Sequence, residues 1–104
     1  MSSLTPFQPV AAGTVNIDVG ATTANVLVAS GNAYRQVRVM NNGTATAWIN
    51  HGGSAVEAAL ATGLPVGPGV TEVLTLPPSD GTLYIAAIAA AATGKIYFTP
   101  GSGI

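Results

Sequence analysis

The side chains that could carry a charge or move a proton near neutral pH are Asp18, Arg35, Arg38, His51, Glu57, Glu72, Asp80 and Lys95, spread thinly over 104 residues. A hydrolytic triad needs a nucleophile, a base and an orienting acid. His51 is the one imidazole. It sits in Asn50-His51-Gly52-Gly53, and a His-Gly-Gly run is compatible with an oxyanion loop, but the sequence holds no Gly-x-Ser-x-Gly nucleophile elbow. His51 therefore reads as a turn residue. Metal ligation wants several His, Asp or Glu converging, whereas the carboxylates here are isolated singles in separate segments. Glu57 with Glu72 is the only combination that offers a two-carboxylate glycosidase pair. The Gly63 to Gly69 run lacks a Gly-Lys-Ser or Gly-Lys-Thr phosphate cradle. The residue inventory argues against an enzyme, and no catalytic, cofactor-binding or metal-ligating residue is assigned.

Charged residues make up 7% of the chain, against about 25% in an ordinary soluble domain. Ala, Thr, Gly and Val fill the gap, which describes a rigid module covered by other protein subunits. With three basic residues and a net charge of −1, there is no footprint for nucleic acid. The absence of cysteine leaves stability to packing and association. Met1 to Pro9 has neither a basic nor an apolar signal region, and the apolar run Ile85 to Ala92 falls well short of the about 20 residues that span a bilayer. The expectation is a chain made in the cytoplasm without membrane insertion. Asn42-Gly43-Thr44 matches a glycosylation acceptor but reads as a turn.

Positioning these residues are short apolar runs separated by Gly, Pro and Asn at intervals of about ten residues, the spacing of an all-β fold. The expected strands are 14–19, 24–29, 34–40, 44–50, 55–60, 70–76, 82–88 and 95–99. They predict an antiparallel β-sandwich or jelly-roll-like barrel of about eight short strands, a single domain over 14–104 preceded by an extended arm over 1–13. Asn42-Gly43 suits a type I′ turn, which would pair 34–40 with 44–50. That pairing sets Tyr34, Arg38 and Trp48 together on one mixed face, as interface anchors, although Trp48 equally fits as the largest core residue. Ser54 caps a segment, Ala55 to Ala61, that also suits two helical turns. The loop 61–69 carries two prolines and three glycines, so it is shaped rather than slack, and it presents Leu64, Pro65 and Val66. Spaced prolines keep the N-terminal arm extended, so that Leu4 and Phe7 can lie across a neighbouring subunit.

From Val37 onward, the run Val-Arg-Val-Met-Asn-Asn-Gly-Thr-Ala-Thr-Ala-Trp-Ile-Asn, the loop Gly-Leu-Pro-Val-Gly-Pro-Gly, and the terminal Tyr-Phe-Thr-Pro-Gly-Ser-Gly resemble small virion proteins of tailed bacteriophages. The resemblance covers roughly two-thirds of the chain and implies a capsid decoration or cement protein. Such a protein is a homo-oligomer, dimer or trimer, that binds the major capsid protein on the outside of the head without catalysis. Its expected location is the virion surface, and its interface residues are Leu4, Phe7, Tyr34, Arg38, Trp48, Leu64, Pro65 and Val66. A tail, fibre or other minor virion component fits the same composition. A carbohydrate-binding β-sandwich module also fits, with Tyr34, Trp48 and Tyr84 as its stacking platform.

Overall fold

A computed structural model describes residues 7–30, 36–76 and 82–102. Short apolar or alternating runs, cut by Gly, Pro and Asn, form nine strands among them. These are β1 (Gln8–Pro9), β2 (Val15–Val19), β3 (Ala24–Ser30), β4 (Gln36–Asn41), β5 (Ala47–Gly52), β6 (Leu64–Val66), β7 (Thr71–Thr75), β8 (Thr82–Ile88) and β9 (Gly94–Ser102). In one sheet β9 is central. β4 and then β7 lie on one side of it, and β2 and β1 share its other edge. The second sheet runs β3-β8-β5-β6. Every pairing is antiparallel, so the fold is an all-β sandwich.

The pairings have a simple logic. β2 with β9, β3 with β8, β4 with β7, and β5 with β6 are successive rungs of one long hairpin, its tip between Gly52 and Leu64. Rolling that hairpin on itself brings β4 against β9 and β5 against β8, which closes the two sheets. This is jelly-roll connectivity. Between the sheets lie Val37, Val39, Val66, Ile85, Ile96 and Phe98, all without solvent exposure. Phe98 is the one aromatic in that core cluster, and small aliphatics supply most of the rest. Pro100 sits inside β9 opposite Val37. Its carbonyl accepts from Val10 N–H at 2.9 Å on the side where β2 has ended and β1 begins, so its missing N–H disrupts no rung there.

The expected hairpin at Asn42-Gly43 does not form: β4 and β5 belong to different sheets. The cause is Asn41, whose side chain satisfies the backbone that a tight turn would otherwise pair. Its Oδ1 accepts from Gly43 N–H (2.9 Å), while Nδ2 donates to the carbonyls of Ala45 (3.0 Å) and Val66 (2.8 Å). The Thr93 hydroxyl then accepts from Thr44 and Ala45 N–H, each at 2.7 Å. The corner is tight enough to require glycine on both of its segments. A Cβ on Gly43 would stand 2.8 Å from Thr93 Oγ1, and Gly94, at φ +125°, packs its backbone on Gly43.

Three further expectations change. Residues 55–60 are not a strand: the chain runs back over the outer face of β3, β8 and β5, held by side chains rather than a ladder. Asn25 Nδ2 donates to the carbonyls of Ser54 (3.0 Å) and Val56 (3.1 Å), Asn50 Nδ2 to that of Glu57 (3.1 Å), and Ala58 N–H to Thr23 Oγ1 (2.8 Å). Ala86, which points outward beneath this crossing, is fully buried. The proline-bearing loop contributes a strand, β6, tolerated because Pro65 lies on an edge. Residues 8–10 of the expected arm pair with β9 of their own chain rather than reaching away from it.

Candidate functional site

Arg38 and Trp48 lie on different sheets, so the mixed face expected from their pairing does not exist. Tyr34 and Leu4 lie outside the described residues. Strand pleating puts Arg38 on the outer face of the first sheet, opposite Thr99 on β9 and Val73 on β7. Met40 and Tyr97, also opposite each other, continue that face, and Thr14 Oγ1 bonds Thr99 Oγ1 at 2.8 Å beside them. Thr14, Arg38, Met40, Tyr97 and Thr99 line an open concavity of about 360 Å³. On the same face Lys95 Nζ donates to Asp18 Oδ1 at 2.7 Å, the one ion pair among the described residues. That hydrogen bond, ahead of the plain attraction of the carboxylate, raises the Lys95 pKa above its ordinary 10.5. Glu72 is opposite Val39, hence on the other face from Arg38, and the two form no ion pair.

On the second sheet's outer face, Trp48 stands opposite Pro65 on β6 and Ile88 on β8. Trp48 is half-buried, so it is neither a core residue nor a free-standing anchor. Leu64 is 40% exposed at the sheet edge. Val66 has no exposure: it is opposite Ala47 on the inner face and belongs to the core, which removes it from the surface set. Phe7 is half-buried, its ring so close over Gly101 that a Cβ there would stand 2.6 Å from it. Of the expected surface residues that are described, only Pro65 and Trp48 are brought together by direct pairing. Tyr97, Met40, Thr99 and Ile88 were missed, although the alternation of Lys95, Tyr97 and Thr99 against Ile96 and Phe98 was readable.

His51 lies inside β5, not in a turn, and borders a cleft of about 230 Å³ with Ile49, Leu64, Leu74, Leu76 and Ile85. Apart from His51, Asn50 and Thr75 that lining is aliphatic, and the lone imidazole has no carboxylate beside it among the lining residues. Glu57 lies in the crossing over the second sheet and Glu72 on β7 of the first, so they do not form a pair across one cleft. No group of three or more His, Cys, Asp or Glu converges among the described residues.

No family model matches the chain, and no curated protein does. Among solved structures, the crystal structure of PirA is similar with a TM-score of 0.58 at 16% identity, covering 85% of this chain and 93% of that one. A solution structure of a de novo designed double-stranded β-helix gives a TM-score of 0.47 at 13% identity, covering 86% of this chain and 95% of that one. A structure of Bacillus endospore appendages, described as disulfide-linked pili, gives 0.39 at 22% identity, with 88% and 85% covered. What this chain has in common with PirA is the fold.

Proposed function

We propose that the protein is a structural virion component that decorates or cements a phage head from outside, by binding the major capsid protein as a small homo-oligomer. The observation that carries the reading is the surface: Leu27, Met40, Leu60, Leu64, Val70 and Val73 are each at least 40% exposed on a chain with 7% charged residues. Single exposed apolar residues are ordinary, but with so few ions between them they favour a partner-covered life. A jelly roll whose sheets close on each other gives such a surface a stiff backing. Contacts repeated over an oligomer raise the effective affinity without a larger interface per copy.

The test is co-sedimentation of the purified chain with the particles whose genome encodes it, with copy number measured per particle. Hundreds of copies, bound as a dimer or trimer of defined solution mass, support head decoration. A few copies per particle point to a tail or fibre role, and complete absence from particles sinks the virion reading.

A further inference from the structure

The concavity on the outer face of the first sheet combines three recognition chemistries within one short reach of β2, β4 and β9. Arg38 supplies an exposed guanidinium. Lys95 is held by Asp18, and Glu72 points to the other face, so Arg38 has no carboxylate partner among the described residues. Its planar fork of donors suits a carboxylate held through two bonds. Tyr97, half-buried, and Met40, exposed, place a ring and a thioether beside it. The Thr14–Thr99 hydroxyl pair spends one donor on itself and keeps one donor and several lone pairs for a ligand.

We propose that this concavity binds an acidic saccharide, a uronate-type sugar whose carboxylate meets Arg38, whose ring lies on Tyr97 and Met40, and whose hydroxyls reach Thr14 and Thr99. The volume of about 360 Å³ accommodates one sugar ring with substituents. The stacking platform is thus Tyr97, on a different sheet from Trp48 and Tyr84. An acidic side chain of a protein partner needs only the guanidinium; the adjoining ring and hydroxyl pair favour the sugar. The inference stands apart from the head-decoration reading and survives or fails without it.

The experiment is an amide NMR titration of the full chain with D-galacturonate, D-galactose and acetate. Saturable shifts at Arg38, Met40, Tyr97 and Thr99 with galacturonate, little response to the other two, and binding weakened about tenfold in Arg38→Gln are expected. Arg38 is exposed, so an unchanged urea midpoint in the variant verifies that its fold is kept. Three results overturn the proposal: no saturable shift with galacturonate, equal affinity in Arg38→Gln, or acetate reproducing the galacturonate response. The last would mark a bare carboxylate contact suited to an acidic protein side chain.

Discussion

Asn41 is the polar side chain on which the core's edge depends. It has no solvent exposure, and all three of its hydrogen bonds run to backbone groups around the β4–β5 crossing. Asn41→Ala strands one N–H and two carbonyls, so unfolding free energy should fall by at least about 2 kcal/mol. Asn41→Asp retains the acceptor for Gly43 but turns a carboxylate toward two carbonyls, and should destabilise further at neutral pH than at acid pH. Urea midpoints of both variants at two pH values check the order; an Asp variant as stable as wild type would refute the bonding scheme. Ala61, at φ +65°, poses the opposite case. A left-handed alanine costs about 1–2 kcal/mol, more than glycine's extra unfolded freedom of roughly 0.5–1 kcal/mol, so Ala61→Gly should raise the urea midpoint slightly. Lys95 supplies the pH dependence. Its folded pKa lies above the ordinary 10.5, so its contribution is complete below that value and is lost as pH rises through the folded pKa. Asp18→Asn should therefore flatten stability in the alkaline limb, seen by urea titration, and leave the same dependence near pH 7 unchanged.

At the scale of elements, the segment 53–60 shows where local reading stops. Strands 15–19, 24–30 and 82–88 were legible because each is a short apolar run set between breakers, with alternation only in the first. Ala55 to Leu60 has no such internal signal. Its course is set by Asn25, Asn50 and Thr23, residues that come from other parts of the chain, and by the small Ala86 that lets it lie close. Asn42-Gly43 misled for a related reason, since the dipeptide looks the same whether the next strand pairs or crosses to another sheet. The grouping of Arg38 with Trp48 rested on that turn and fell with it, whereas Trp48 with Pro65 follows from β5–β6 pairing. Three side-chain clamps, from Thr23, Asn25 and Asn50, make the crossing separable from the roll. Asn25→Ala should raise hydrogen exchange at 54–58 while exchange in β8 and β9 stays near wild type. Equal acceleration in β8 would mean that the crossing and the roll unfold as one unit.

For the whole molecule, a surface this poor in ions makes a prediction about salt. Charged interfaces weaken as the Debye length shrinks from about 10 Å at 0.1 M to about 3 Å at 1 M, whereas apolar burial does not. If the exposed Leu, Val and Met side chains and the Trp48–Pro65–Ile88 face engage the partner, retention on particles should hold across that range. Arg38→Gln should leave retention unchanged, while Trp48→Ala should weaken it by more than about 1 kcal/mol, the threshold for an interface anchor. Trp48 is half-buried, so its variant must first be compared with wild type by urea midpoint. Loss of retention in a folded Trp48→Ala protein, insensitive to salt, places the docking energy on the second sheet. Steep salt loss together with a normal Trp48→Ala response would instead place it on the few ions, and would remove the reason for linking this surface's composition to its work.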